Sequence, residues 1–187
     1  MNGIVIENKK GVDEKDFTSL SWVLRARSRD EERPVLCGVS SDGMGRFAAT
    51  DGHRLHVAEI PKLSETIPKG VWIYVHGNKK KISLEQTDGL TFPDYQKVFD
   101  DFNNAKPTNK GMVTHVKGED SGAVWRLHDI TDMTFNIKYA LEMLSGIEPL
   151  SVRICSDYLH GIEFSSQGEE GNTKRGIIMP LKDNKVS

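Results

Sequence analysis

The sequence has little cysteine, no long apolar run and almost no excess of charge of either sign. Its two cysteines, Cys37 and Cys155, lie in apolar, strand-like runs without the paired spacing of a metal site. Both are therefore expected to be buried, reduced thiols, as in a protein of the cytoplasm. No apolar run approaches the roughly 20 residues that a membrane helix needs. Met1 to Lys10 lacks the apolar segment of a signal peptide, so the sequence indicates a soluble, intracellular protein.

The balance of charge excludes a generally basic nucleic-acid binder. The 187 residues carry a formal net charge of −2, so any contact with DNA must come from local clusters of basic side chains. With 37% hydrophobic and 28% charged residues, the chain can form a core and is not of a disordered type. Its length suits one domain, or one domain and a fraction.

The sequence also lacks the motifs of a catalytic centre. The six histidines are scattered, and no serine or cysteine lies in a nucleophile motif. His53 and His56 are three residues apart in a strand-like segment, so their side chains point to opposite faces. The glycines of Asp42–Gly45 suit a hairpin turn better than a phosphate-binding loop. We therefore expect no enzymatic activity, no metal site and no cofactor.

A helix is predicted over Glu14–Arg29, with Asp13 as its N-cap. One side of this helix is an apolar stripe and the other is basic. Trp22 falls on the polar side, as a half-exposed aromatic or as cover for a neighbouring subunit. The apolar stripe consists of Phe17, Leu20 and Leu24, with Val23 beside it. The polar side consists of Lys15, Thr18, Arg25 and Arg29. Four strands, Gly3–Glu7, Pro34–Ser40, Arg46–Ala49 and Leu55–Ile60, complete the first sixty residues.

The middle of the chain is predicted to hold a lysine-tipped hairpin and a linker. Lys79, Lys80 and Lys81 form a short basic run where the second strand of this hairpin begins, either as a solvated hairpin tip or as a contact for phosphate. The segment Asp100–Gly111 is polar and is typical of a linker. The strands of the first hairpin are Val71–Val75 and Lys80–Gln86, and a second hairpin is expected from Met112–Val116 and Ala123–Leu127, turned at Gly118–Gly122.

The last part of the chain repeats the plan of the first. A second helix begins at the N-cap Asn136, carries an apolar stripe and ends at Gly146. Its strands are expected at Leu150–Ser156, Gly161–Ser165 and Arg175–Leu181. Each end of the chain thus reads strand, helix and three strands, which predicts an α+β fold with helices on one face of antiparallel sheets. We expect the chain to divide into three parts. Residues 1–60 would form a first half unit, residues 61–110 would hold strands and a connector, and residues 111–187 would form a second half unit.

Three stretches together resemble the bacterial DNA polymerase III β subunit, the sliding clamp. The first, Ala49–Leu55, reads Ala-Thr-Asp-Gly-His-Arg-Leu. The second, Phe92–Val98, reads Phe-Pro-Asp-Tyr-Gln-Lys-Val, and the third, Ile177–Lys182, reads Ile-Ile-Met-Pro-Leu-Lys. They occur in the order found in that family, where they line a pocket for short peptides of polymerases and other partners. The resemblance implies the DNA-clamp fold and a processivity factor of DNA replication, associated with the nucleoid in the cytoplasm.

The resemblance also implies two sets of functional residues. Apolar residues of the first set would receive the peptide's Leu and Phe anchors, and backbone groups with His53 or Arg54 would orient it. The second set would contact phosphates of double-stranded DNA without reading sequence. The peptide set is Leu36, Thr50, Gly52, His53, Arg54, Leu55, Pro93, Val98, Ile177, Met179, Pro180, Leu181 and Lys182, and the DNA set is Lys15, Arg25, Arg29 and Arg33.

Two functions remain open at the level of sequence. A family member is about twice as long as this chain, and the second helix carries no basic face. The chain could be a reduced clamp that forms a homo-oligomeric ring, with Gly3–Glu7 and Gly161–Ser165 as candidate edge strands. It could instead be a non-ring adaptor or decoy that captures clamp-binding peptides in replication or repair.

Overall fold

The computed structural model describes residues 3–8, 13–113, 120–145, 150–155, 160–167 and 173–181. The chain forms two compact units, one of Met1–Pro93 with Gln167–Lys174 and one of Asp94–Ser166 with Arg175–Ser187. This division differs from the expected one at 60 and 110. None of the helices in the described residues is long and apolar enough to cross a membrane.

The first unit is an antiparallel sheet with one long helix packed on it. The helix α1 lies against β2, β3 and β4, and the described strands follow the order β1-β6-β5-β2-β3-β4. Neighbouring strands from β1 to β4 in this order run antiparallel. The elements are β1 (Gly3–Glu7), α1 (Asp13–Leu24), a 3₁₀ turn (Pro34–Leu36), β2 (Gly38–Ser41), β3 (Arg46–Thr50), β4 (Arg54–Glu59), a second 3₁₀ turn (Pro61–Leu63), β5 (Gly70–Gly77) and β6 (Lys81–Gln86).

The apolar stripe of α1 forms the core of the first unit, as the sequence predicts. Phe17, Leu20, Val23 and Leu24 are all buried. The expectation for Trp22 was wrong, because its side chain is only 2% exposed. The Trp22 ring stacks on the ring of His56 in β4, with 4.2 Å between the ring centroids. Trp22 therefore packs against β4 and belongs to the interior of the first unit.

The helix α1 ends at Leu24, five residues before the predicted Arg29. Residues 25–27 continue in tighter turns, in which the N–H of Arg25 donates to the carbonyl of Trp22. The N–H of Ser28 then donates to the carbonyl of Leu36 at 2.8 Å, which turns the chain away from the helix axis. Arg25 and Arg29 consequently do not lie on the helix.

The expected strand Pro34–Ser40 begins only at Gly38. Pro34 instead opens a 3₁₀ turn, which the N–H of Cys37 closes by donating to the carbonyl of Pro34. In this turn Cys37 is only half-buried, whereas Cys155 is buried as expected. At Gly38 the backbone of β2 approaches β5 so closely that a Cβ would lie 1.9 Å from the carbonyl oxygen of Trp72. Only glycine fits at this contact between the two strands.

In its described residues, the second unit combines three helices with strands in the order β10-β9-β8-β7. Strand β8 pairs antiparallel with both β7 and β9. The elements are α2 (Tyr95–Asn104), β7 (Thr108–Val113), α3 (Asp120–Thr131), α4 (Ile137–Leu144), β8 (Leu150–Ile154), β9 (Ile162–Gln167) and β10 (Thr173–Ile178).

Two sequence predictions in this unit were wrong. The expected linker Asp100–Gly111 is the end of α2 followed by β7, because α2 buries Phe99 and Phe102 at helical spacing. The expected strand Ala123–Leu127 lies in α3. The turn expected at Gly118–Gly122 was also wrong where it is described, because residues 120–122 belong to α3, while residues 118 and 119 lie outside the described residues.

The start of the second predicted helix is confirmed. The side chain of Asn136 accepts hydrogen bonds from the N–H groups of Lys138 and Tyr139, which begins α4. Its expected end at Gly146 lies outside the described residues.

The expectation of two edge strands was half right. β1 lies at one end of the strand order of the first unit. The second candidate, Gly161–Ser165, corresponds to β9, which is hydrogen-bonded between β8 and β10. Among the described strands, the order of the second unit ends at β7 instead. The α+β class with antiparallel sheets, and the strand–helix–strand–strand–strand pattern of the first sixty residues, are confirmed.

Candidate partner-binding site

The turn between β3 and β4 is built by the side chains of Thr50 and Asp51. The Oγ1 of Thr50 donates to the carbonyl of Arg54 at 2.6 Å and accepts from the N–H of Gly52 at 3.0 Å. The Oδ1 of Asp51 accepts from the N–H groups of His53 and Arg54. Gly52 has a φ of +93°, a conformation that favours glycine. These contacts fix the turn and leave the side chain of His53 exposed.

Arg54 lies beneath this turn, and its side chain is only 6% exposed. Its Nε donates to Oδ2 of Asp51 at 3.0 Å, and its Nη2 donates to the carbonyl of Arg25 at 2.6 Å. The guanidinium group thus ties the turn to the segment after α1. Of the two residues expected to orient a peptide, His53 is the exposed one, and Arg54 holds the turn in place.

The two leucines of the set in this unit are buried. Leu36 is 8% exposed and Leu55 is 4% exposed, so each contributes mainly to the core. Thr50 is half-buried, and Pro93 is exposed at the end of the unit. Arg33, which the sequence assigned to DNA, lies beside the turn: its Nη1 would be 3.8 Å from a Cβ at Gly52. Nothing in the spacing of Arg33 and Gly52 indicated this contact, which depends on tertiary structure.

The second unit presents its share of the set on α2 and after β10. Val98 is 42% exposed on α2, and Leu181 is 49% exposed. Ile177 is buried at the end of β10, and the chain then exposes part of Met179 and of Pro180. The N–H of Leu181 donates to the carbonyl of Thr134 at 2.8 Å, which holds this segment in place. Lys182 lies outside the described residues.

A buried carboxylate, which no sequence pattern indicated, supports α2 and β10. Glu163 of β9 is 1% exposed and pairs with the guanidinium groups of Arg153 and Arg175. Arg153 lies 5.4 Å from the ring centroid of Phe102, and Arg175 lies 4.0 Å from that of Phe99. The register of β8 against β9 places Arg153 opposite Glu163. Since no local pattern reports register, no signal in the sequence could have found this cluster.

The four candidate DNA contacts do not share one helix face. Lys15 is exposed on α1, whereas Arg25 and Arg29 are exposed in the segment that follows the helix. Arg33 is held by Asp30, with 2.9 Å between its Nε and Oδ2. Within the described ranges, no group of three or more His, Cys, Asp or Glu side chains is arranged to hold a metal ion.

The sequence matches no protein-family model and no curated protein, but solved structures match the fold. The DNA polymerase III subunit β of Borrelia burgdorferi, in complex with a natural product, aligns with a TM-score of 0.57 at 16% identity, over 97% of this chain and 63% of that chain. The β subunit of Thermotoga maritima aligns with a TM-score of 0.54 at 14% identity, over 96% and 65%. The Helicobacter pylori β clamp bound to a DNA ligase peptide aligns with a TM-score of 0.52 at 12% identity, over 97% and 66%.

These likenesses concern the fold. Nearly all of this chain superposes on bacterial β sliding clamps, which confirms the clamp fold that the three sequence stretches indicated. The chain spans only 63–66% of the length of these three clamps. It is therefore clamp-like in fold and shorter than those clamps.

Proposed function

We propose that this chain is a shortened, clamp-like protein of bacterial-type DNA replication that binds the clamp-binding peptides of polymerases and other partners in the cytoplasm. The observation that carries the proposal is the shared fold over nearly the whole chain, including the likeness to a clamp bound to a DNA ligase peptide. The protein would act by binding and not by catalysis.

The arrangement within each unit supports peptide binding. In the first unit, internal hydrogen bonds fix the turn Thr50–Arg54 and leave His53 exposed. In the second unit, Met179–Leu181 offers apolar side chains that are partly exposed and are held by a backbone hydrogen bond to Thr134. Partly exposed methionine and leucine suit the apolar anchors of a short linear peptide. We assign the whole peptide set, including Lys182, to this role.

A direct test is fluorescence anisotropy with the DNA ligase peptide of the Helicobacter clamp complex, labelled with fluorescein. Wild-type protein should bind it reversibly and weakly, since the peptide becomes ordered on binding. Leu181→Asp should weaken binding at least about tenfold, which corresponds to about 1.4 kcal/mol. The matched control is Met112→Asp, because Met112 is another exposed apolar side chain of the second unit.

A second variant addresses the turn of the first unit. His53→Ala should also weaken binding, and the control His76→Ala replaces another exposed histidine of that unit. If wild-type protein does not bind the peptide, or if both site variants bind as well as their controls, the proposed function is wrong.

The alternative is a non-ring adaptor or decoy that captures the same peptides. Two observations support this alternative. The chain is shorter than the clamps, and Arg25 and Arg29 lie beyond the end of the helix α1. A ring would require pairing of terminal strands such as β1 and β7 between copies. Light scattering over a range of protein concentrations separates the two. A stable symmetric oligomer supports a ring around DNA, with Lys15, Arg25, Arg29 and Arg33 as phosphate contacts, and a monomer at high concentration supports the adaptor.

A further inference from the structure

The ion-pair cluster of Glu163 holds two positive charges and one negative charge. Glu163 is 1% exposed, and each of its carboxylate oxygens accepts from a different guanidinium group. The Nε of Arg153 donates to Oε2, and the Nε of Arg175 donates to Oε1. In the residues that the structure describes, neither arginine pairs with a second carboxylate. The cluster therefore carries one positive charge that is not compensated.

Two buried rings of α2 hold these guanidinium groups in place. Phe99 is 2% exposed and Phe102 is 0% exposed. The guanidinium carbon of Arg175 lies 4.0 Å from the centroid of the Phe99 ring, and that of Arg153 lies 5.4 Å from the centroid of the Phe102 ring. A guanidinium group that lies over a ring and also donates to a buried carboxylate has little freedom to rotate. Both groups are therefore oriented without a ligand.

Several hydrogen-bond donors of the cluster are not used within the described part of the chain. The Nε of Arg175 donates to Glu163, but its two terminal nitrogens have no hydrogen-bond partner there. The side chain of Arg175 is 32% exposed, so these nitrogens are accessible from solvent. The Nη2 of Arg153 donates to Oδ1 of Asn103 at 3.1 Å, and Asn103 itself is exposed on α2. Its amide nitrogen is a further donor beside Arg153.

We propose that Arg153, Arg175 and Asn103 bind a small oxyanion, namely the phosphate or the carboxylate group of a metabolite. The two terminal nitrogens of a guanidinium group form a planar fork, which matches two oxygen atoms of either group. Arg175 offers this fork, and Arg153 lies beside it because both arginines donate to the one carboxylate of Glu163. The anion would compensate the remaining positive charge. This role goes beyond the proposed function and does not depend on it.

The neighbouring charges favour a small anion over a long polyanion. Asp100 and Asp101 are exposed on α2, within one turn of Asn103. The Oδ1 of Asp100 accepts from Nε2 of Gln96 at 3.0 Å, so this carboxylate is bonded within the helix and not to the arginines. A long polyanion would pass these two carboxylates and be repelled by them. A single phosphate or carboxylate group needs only the space between the arginines and Asn103.

The test is isothermal titration calorimetry of the whole chain with sodium phosphate and, separately, with sodium acetate. The ionic strength is kept constant with NaCl, so that general salt effects are the same in each titration. Wild-type protein should bind one ion per chain in a saturable manner.

A substitution at the exposed end of the cluster tests the site without changing a buried residue. Asn103→Asp places a carboxylate among the donors, where it repels an oxyanion and accepts from Arg153. The affinity should fall at least about tenfold, while unfolding in urea should stay close to that of wild type. The matched control is Asn104→Asp, which makes the same change at the next exposed residue of α2 and should bind as wild type does.

A second substitution tests the planar fork. Arg175→Lys keeps the positive charge next to Glu163 but removes the fork, so the affinity should also fall at least about tenfold. The matched control is Arg46→Lys in the first unit, because Arg46 also pairs with a carboxylate, at 2.8 Å from Glu59.

The two titrations also identify the chemistry of the ligand. Tighter binding of phosphate supports the inference with a phosphate group as ligand, and equal or tighter binding of acetate supports it with a carboxylate group. The inference is overturned if neither ion binds in a saturable manner, or if a folded site variant binds the preferred ion as tightly as its control. Since no peptide enters the measurement, its outcome is separate from the test of the proposed function.

Discussion

The buried histidine of β4 should make the first unit sensitive to acid. His56 is fully buried, and its Nδ1 lies 2.8 Å from the carbonyl oxygen of Trp22. Because a carbonyl only accepts, Nδ1 carries the proton, and Nε2 has no hydrogen-bond partner in the described part of the chain. Burial lowers the pKa of His56 from 6.5 to about 3. The hydrogen bond to Trp22 raises this pKa, whereas the nearby charges of Arg54 and Arg25 lower it further.

The sign of the pH dependence follows from these values. The folded chain keeps His56 neutral between pH 3 and pH 6.5, whereas the unfolded chain protonates it as the pH falls below 6.5. Protonation therefore favours unfolding, and the full stability is present only above pH 6.5. Between pH 8 and pH 5 the first unit should lose about 2 kcal/mol from this residue alone, at 1.36 kcal/mol per pH unit.

Urea unfolding at pH 8 and pH 5, followed by circular dichroism, measures this loss. His56→Asn keeps a side-chain N–H for the Trp22 carbonyl and removes the titrating ring. The variant should be less stable at pH 8, because a smaller side chain leaves a cavity. Between pH 8 and pH 5, the free energy of unfolding of the variant should fall by about 2 kcal/mol less than that of the wild type. The control His53→Asn changes an exposed histidine of the same hairpin and should leave the difference unchanged. An equal pH difference in wild type and His56→Asn would refute the reasoning.

Two further predictions concern the cores of the two units. Glu163→Gln removes the carboxylate charge between two arginines. We expect the free energy of unfolding of the second unit, measured with urea, to fall by about 3 kcal/mol. A fall below about 1 kcal/mol would mean that the ion pairs contribute little to stability. Gly38→Ala would place a methyl group 1.9 Å from the carbonyl oxygen of Trp72, and this backbone cannot rotate away. We expect a loss of about 3 kcal/mol or a failure to fold, whereas Gly3→Ala, with no atom nearer than 3.9 Å, should melt as wild type does.

Local chemistry in the sequence determined much of the secondary structure. The Asp-Gly pair before His53 predicted the β3–β4 hairpin, because glycine accepts the φ of +93° that the turn needs. The stripe of α1 predicted its buried face, and Asn136 predicted the start of α4 because a side-chain oxygen can cap free N–H groups. Each of these features depends on residues within a few positions of one another.

The three clamp-like stretches indicated the fold because each keeps its residues together in sequence. The failed predictions for the middle of the chain have a different origin. The helix α2 begins at the cap Asp94 and buries Phe99 and Phe102, but its polar composition is also typical of a linker. Its helical state depends on what covers those two rings, and composition does not report that.

Only the tertiary structure decided which polar side chains are buried and which charged side chains pair with one another. The end of α1 depends on a hydrogen bond from Ser28 to Leu36, and the burial of Trp22 depends on β4. Arg54 is a surface residue of a turn by its sequence, yet Asp51 holds it in the interior. The ion pairs of Glu163 depend on strand register. In each case the partners are brought together by packing and by register, and the free energy of those contacts exists only once the chain has folded.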